Sequence, residues 1–384
     1  MSAPTGFVPP PYPYDRLSEL TETIRSLHGE VVDLSVGTPF DEPPPEVVAE
    51  LARGGSARAY PPSVGSVAYL DAVRRWIERR FGVDASDVAI GATIGSKEFV
   101  ASAPGHLHLR RPDRDTVLYP AVSYPTYAMG ATLAGLRCVA VPTLGGGRLD
   151  LDSVASSDVD RALLLWVNSP ANPTGLLDDL GAAARWGRSR EIPVLSDECY
   201  AEFTWSGPPR TILEHGTEGV IAVHSLSKRS NLAGARVGSY AGDRELVEYL
   251  REVRKHAGMM VPGPVQAAAV LALDDDAHVD AQRARYLSRL GSLADALGSW
   301  SGRAVELPDG AFYLWVPTDD GWSYAADLAR DGGALVSPGE FYGPAGSGHV
   351  RVAAVQPSEA VERVARRLRG RRRDIRAGAG AGSA

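Results

Sequence analysis

Two hydroxyls, a lysine and an arginine crowd into Ser225-Leu226-Ser227-Lys228-Arg229-Ser230-Asn231-Leu232-Ala233-Gly234-Ala235-Arg236-Val237-Gly238. A lysine amine can form a Schiff base with an aldehyde. Hydroxyls and a guanidinium can hold a phosphate. Lysine is scarce in this chain: only Lys97, Lys228 and Lys255 stand among forty basic residues. An isolated Ser-x-Ser-Lys is ordinarily a surface loop. The rest of the chain must therefore supply the other groups that such chemistry needs.

A ligand that carries both an aldehyde and a phosphate is pyridoxal 5′-phosphate. Its ring works as an electron sink when a buried carboxylate keeps the pyridine nitrogen protonated. Asp197, after an apolar run in Ser196-Asp197-Glu198-Cys199-Tyr200, meets that need, although a turn cap is its plainer reading. Asn172 and Tyr200 can donate to the ring oxygen, and Tyr124 can cover a ring face. Ser225, Ser227 and Arg236 can hold the phosphate. The N–H groups of Ser96 and Lys97 can join them, because Gly95-Ser96-Lys97-Glu98 opens a helix. A helix N-terminus has unpaired N–H groups and a positive dipole end. Lys228 would hold the cofactor and, once freed, carry a proton between substrate carbon and cofactor carbon. Arg351, in His349-Val350-Arg351-Val352, suits bidentate binding of a substrate carboxylate, with a structural salt bridge as the alternative. Gly37 offers a backbone that a small substrate can approach closely.

These residues need a scaffold. The pattern predicts strands over 87–94, 116–119, 137–141, 162–167, 192–195, 220–223 and 236–241, with helices such as 126–136 and 180–190 between them. Such alternation predicts an α/β fold with a mostly parallel sheet between helices. Ligands of these sheets sit beyond the carboxyl ends of the strands. Tyr124, Asn172, Asp197 and Lys228 all follow such ends. Further on, helices cover 245–273, broken at Met260-Val261-Pro262-Gly263-Pro264, and a long helix covers 280–297. Strands are then predicted over 304–307, 312–316, 334–336 and 350–354, with a helix over 358–368. They form a smaller α+β unit. The expected organisation is an N-terminal arm and part of the small domain over 1–42, a large cofactor-binding domain over 43–275, and a small C-terminal domain over 276–369. The arginine-rich, Gly/Ala tail over 370–384 is expected to be disordered.

The 384 residues suffice for a large core. A net charge of −7 argues against a nucleic-acid partner, whose protein surfaces are usually basic. No leader pattern and no apolar run long enough to span a bilayer is visible, so a cytoplasmic location is expected. Cys138 and Cys199 read as buried free thiols. No metal is called for.

Asn172-Pro173-Thr174-Gly175, Asp197-x-x-Tyr200, Ser225-x-Ser227-Lys228 with Gly234-x-Arg236-x-Gly238, and His349-Val350-Arg351 occur in one order. Together they resemble the fold type I, class I/II pyridoxal-phosphate-dependent aminotransferases, from about residue 12 to residue 368. The resemblance implies a homodimer with shared active sites, in which Tyr60 reaches the phosphate of the neighbouring subunit. It also places Gly37 beside the substrate carboxylate. Ile94-Gly95-Ser96-Lys97-Glu98, Ser123-Tyr124-Pro125-Thr126-Tyr127 and His256-Ala257-Gly258-Met259-Met260 are similar to actinobacterial N-succinyldiaminopimelate aminotransferases. These exchange an amino group between glutamate and the ketone of N-succinyl-2-amino-6-oxopimelate, in lysine and cell-wall precursor synthesis. Ala235 departs from the larger residue of that pattern. A secondary-metabolism paralogue, an aminotransferase of the aspartate, aromatic or LL-diaminopimelate type, and a lyase of the same fold stay open. A cofactor-sensing regulator would need a DNA-binding module, and no helix-turn-helix precedes residue 30. Lys97, Arg229 and the proline-rich arm are candidates for reading the distal substrate groups.

Overall fold

The computed structural model describes residues 6–373. β1 (Val32–Asp33) follows the first α-helix, Ser18–His28. The larger sheet takes β2 (Ala89–Thr93), β3 (Thr116–Pro120), β4 (Arg137–Val141), β5 (Ala162–Asn168), β6 (Val194–Asp197), β7 (Val220–Ser225) and β8 (Gly238–Gly242). Their order across the sheet is β2-β8-β7-β6-β5-β3-β4. β3 to β7 are mutually parallel, and β8 runs antiparallel to both β2 and β7. The fold is therefore α/β with a mostly parallel central sheet, as the alternating pattern predicts.

β5, β6 and β7 are buried along their whole length. That explains their near-continuous apolar runs, since both faces are covered by helices. Val73, Trp76, Ala184 and Ala269 from helices Val67–Phe81, Leu180–Arg188 and Gly263–Asp274 pack on one face. Phe99, Tyr127, Ala131 and Val247 from Ser96–Arg110, Thr126–Leu133 and Arg244–His256 pack on the other. The edge strand β4 leaves Cys138 exposed, against its expected burial. An edge strand is covered on one side only, so an apolar neighbourhood in sequence does not bury every position.

β9 (Tyr313–Pro317), β10 (Ala334–Leu335), β11 (Ser337–Pro338) and β12 (His349–Ala353) complete the strands. β11, β12 and β9 form an antiparallel sheet, with Arg351 opposite Trp315. β1 pairs in parallel with β10, so the N-terminal segment is woven into the C-terminal part. Helices Ala277–Ser301 and Ser358–Leu368 cover this region through Leu290, Leu293, Val361 and Val364.

Two expectations shift. The strand predicted over 304–307 does not form. Val305 packs on the core while Leu307 faces solvent, and the ladder bonds begin later, where Gly310 bridges Thr204. The strand predicted from 236 starts at Gly238, because Arg236 adopts left-handed backbone with φ 57°. Residues 374–384 of the expected tail lie outside the described residues; Arg373 donates its backbone N–H to the Trp300 carbonyl at 2.9 Å. Among the described residues no helix is long and apolar enough to cross a membrane.

Candidate active site

A cavity of about 500 Å³ opens beyond the carboxyl ends of the central strands. β6 delivers Asp197 and β7 delivers Ser225; the one-turn helix Leu226–Arg229 then presents Ser227 and Lys228. The loop after β5 adds Asn172, the segment after β3 adds Tyr124, and the helix opening at Ser96 adds Ser96 and Lys97. Gly37 and Tyr200 line it too, and β12 contributes Arg351 from the smaller sheet. Of the residues predicted to hold the cofactor or the substrate carboxylate, only Tyr60 lies away from this cavity, with 94% of its surface exposed.

Asp197 is buried. Its Oδ2 accepts from the Tyr127 hydroxyl at 2.9 Å and its Oδ1 from the Cys199 N–H at 3.2 Å. Burial raises its pKa above the ordinary carboxylate value, and those donors, together with the Lys228 charge, work in the opposite direction. Lys228 Nζ donates to the Gly37 carbonyl. Burial pushes the amine down to about 8, with the Arg351 and Arg236 charges adding to the shift. A lysine so placed has about a tenth of its amine neutral at pH 7, far more than an ordinary lysine, and the neutral form is the one that acts as nucleophile or base.

At the other end of the cavity the Ser225 hydroxyl donates to Ser227 Oγ at 2.9 Å, while Ser225 Oγ also accepts the Ser227 N–H at 3.2 Å. Arg236 reaches in from its left-handed position, donating to the Ala233 and Ile94 carbonyls at 2.9 and 3.3 Å. Gly95 makes this possible. Its φ is +71°, and a Cβ there would stand 2.3 Å from Arg236 Nη2. A guanidinium, two hydroxyls and a helix N-terminus thus converge in a cradle that any side chain at 95 would fill.

Arg351 is 2% exposed. Its Nη1 donates to Asn172 Oδ1 at 2.7 Å, and its Nη2 donates to the Tyr14 hydroxyl at 3.2 Å and to the Ser35 carbonyl. The guanidinium lies over the Tyr313 and Tyr342 rings, 4.3 and 4.7 Å from their centroids. Its Nε has no hydrogen-bond partner. All the partners named are neutral, so the salt-bridge alternative for this arginine does not hold among the described residues. Tyr200 engages Tyr313 hydroxyl to hydroxyl at 2.8 Å. Gly37 lies hard against the same ring: a Cβ there would fall 2.0 Å from the Tyr313 hydroxyl.

Sequence reasoning missed Tyr313, Tyr127 and Asn168, all of which line the cavity. Asn168 was legible as the first residue after the strand predicted over 162–167. Tyr313 sits in a strand that reads simply as core. Among the distal-group candidates, Lys97 and Tyr12 line the cavity, with the ammonium 5.2 Å from the Tyr12 ring centroid. Arg229 does not. It is buried beneath the site, bonded to Glu202 at 3.0 Å and Asp276 at 2.9 Å.

The pattern of aminotransferase class I and II matches residues 29–368. The chain belongs to this family. Its cofactor is pyridoxal 5′-phosphate, and the cavity fits it: a buried carboxylate, a depressed lysine and a glycine-opened anion cradle share one space. A probable aminotransferase of Mycobacterium tuberculosis is 41% identical, over 94% of this chain and 85% of its own. A 4-dedimethylamino-4-oxo-anhydrotetracycline transaminase of Streptomyces rimosus is 38% identical, over 94% of this chain and 99% of its own. Among solved structures, a probable N-succinyldiaminopimelate aminotransferase of Thermus thermophilus superposes with a TM-score of 0.81. It is 29% identical and covers 92% of this chain and 98% of its own. This aminotransferase therefore shares both fold and length with transaminases of different substrates.

Proposed function

We propose that this aminotransferase exchanges an amino group between glutamate and N-succinyl-2-amino-6-oxopimelate in two half-reactions, with Lys228 as the proton carrier. One observation carries the reading: the Arg351 guanidinium is buried with no anionic partner among the described residues and opens on the cavity that holds Lys228. A buried charge without a counter-ion is costly. The α-carboxylate of an amino acid or 2-oxo acid supplies that counter-ion, and Asn172, Tyr313 and Tyr342 keep the planar group oriented to receive it.

Bound in the cavity, pyridoxal phosphate supplies an aldehyde and an electron-withdrawing ring. Asp197, anchored by Tyr127, is assigned to the ring nitrogen, and Asn172 and Tyr200 to the ring oxygen. Tyr124 is assigned to the ring face, and Ser96, Lys97, Ser225, Ser227 and Arg236 to the phosphate. Lys228 Nζ would take the proton from the substrate α-carbon and pass it to the cofactor carbon in one half-reaction, and carry a proton the opposite way in the other. Tyr60 and Val67, 94% and 76% exposed, support contact with a second copy of the chain, in which Tyr60 reaches the partner's phosphate.

The substrate assignment is supported by the motif likeness and by the name of the Thermus structure. Lys97 supports it too, as an ammonium in the cavity facing a tyrosine rather than a carboxylate. The Streptomyces relative favours a second reading, in which the amine goes to the oxo group of a 4-oxo-anhydrotetracycline-like compound. A half-reaction screen separates the two. The holoenzyme is mixed in turn with glutamate, aspartate and N-succinyldiaminopimelate, and the visible absorbance of the lysine-bound cofactor is followed. Loss with glutamate and N-succinyldiaminopimelate supports the first reading. Loss with glutamate alone moves the assignment to the second. No loss with any amino acid overturns transamination by this site.

A further inference from the structure

Behind the cavity, β6 and β7 bring together a second pair of titratable side chains that the chemistry above leaves unused. Parallel pairing sets Asp197 against Val223, and the ladder continues as the Glu198 N–H donates to the Val223 carbonyl at 2.9 Å. Side chains alternate along a strand. Asp197 and Ser225 line the cavity, so their neighbours Glu198 and His224 turn to the opposite face. There Glu198 Oε2 lies 3.3 Å from His224 Nε2, with side chains 0% and 4% exposed. Neither atom has any hydrogen-bond partner, their mutual approach included. Glu198 Oε1 accepts the Ile212 N–H at 2.7 Å, and the imidazole packs edge-on against Trp76, with centroids 4.8 Å apart.

Two buried acceptors facing each other would both be left unsatisfied, at a cost of roughly 1–3 kcal/mol each. One proton between them satisfies both. A carboxylate with an imidazolium would bury two charges, and a carboxylate accepting from a neutral, Nε2-protonated imidazole would bury one; a carboxylic acid with a neutral imidazole buries none. Burial drives both groups toward the last state, pushing Glu198 up to about 8 and His224 down to about 4. Glu214 adds to the first shift. The Glu198 backbone and, less strongly, Glu202 favour a charged imidazole without outweighing burial, and Glu202 is already engaged by Arg80 and Arg229.

We propose that Glu198 and His224 share one proton as a neutral pair, and that this pair is a positioning device for the site. It ties the ends of β6 and β7 together, so that Asp197 and Ser225, one residue away on each strand, keep their spacing. The inference rests on the cofactor assignment made above.

The test is isotope-edited infrared spectroscopy of the holoenzyme at neutral pH, with the glutamate carboxyls carbon-13 labelled, for the wild type and Glu198→Gln. The wild type is expected to show a protonated carboxyl stretch that Glu198→Gln lacks. Its absence from the wild type overturns the proposal. The dissociation constant for pyridoxal phosphate adds a second reading. A glutamine amide can still donate to a neutral His224, so Glu198→Gln should bind within about threefold of wild type, whereas Glu198→Ala should weaken binding about tenfold or more. Equal weakening by both variants would mean that a charge was required, and the neutral pair would fall. A wild type that binds no pyridoxal phosphate would instead refute the cofactor assignment, and the infrared band would still decide the proton.

Discussion

Arg351 donates to Asn172 Oδ1 across 2.7 Å, and this bond joins the smaller sheet to the loop after β5. The group assigned to the substrate carboxylate is thereby aimed by a residue assigned to the cofactor. Replacing Arg351 by lysine keeps the charge but loses the planar fork. Steady-state kinetics should show KM rising about tenfold or more for every amino-acid substrate, with a smaller change in kcat. Unchanged KM would place the carboxylate elsewhere.

The Tyr127 hydroxyl donates to Asp197 Oδ2 at 2.9 Å. Removing the hydroxyl with Tyr127→Phe takes away a hydrogen bond to a charged group, a loss of about 1.5–3 kcal/mol. Cofactor affinity, measured by equilibrium dialysis, should fall roughly tenfold to a hundredfold. Asp197→Ala should cost more in kcat while leaving the far-ultraviolet circular dichroism intact. Near-normal rates would remove Asp197 from the chemistry.

Burial holds Lys228 at about 8 in the cofactor-free protein. The neutral amine is the nucleophile, so its share grows from about a tenth to about nine tenths between pH 7 and pH 9. The rate of pyridoxal phosphate uptake by the cofactor-free enzyme should rise about tenfold over that interval and then level off. A rate still climbing steeply at pH 10 would indicate an ordinary, unshifted lysine.

Gly95 combines a φ of +71° with a Cβ position 2.3 Å from Arg236 Nη2. Gly95→Ala therefore strains the backbone and pushes the guanidinium out of the cradle. The expected result is a holoenzyme that loses cofactor on gel filtration in phosphate buffer, while the wild type retains it. Retention by the variant would mean that Arg236 does not hold the phosphate.

Much of this was legible in the sequence because a parallel sheet puts functional groups at strand ends, and the apolar runs locate those ends. Asp197 and Ser225 were reached that way. The pairs that depend on distant chain segments were not legible. Tyr313 fills the space beside Gly37 although 276 positions separate them in the chain, and no local pattern distinguishes it from a core tyrosine. Arg229 was a candidate for reading the distal substrate groups, yet the helical turn after Lys228 directs it away, into Glu202 and Asp276. The segment 304–307 alternates like a strand but makes no ladder, since strand formation requires a partner that spacing alone does not reveal.

The account turns on Lys228 as the residue that carries the cofactor. Borohydride reduction of the holoenzyme followed by peptide mapping addresses this directly, because it fixes pyridoxal phosphate to whichever lysine holds it. With three lysines in the chain the outcome is unambiguous. Label on Lys228 is the predicted result; label on Lys97 or Lys255 would contradict the assignment of the site.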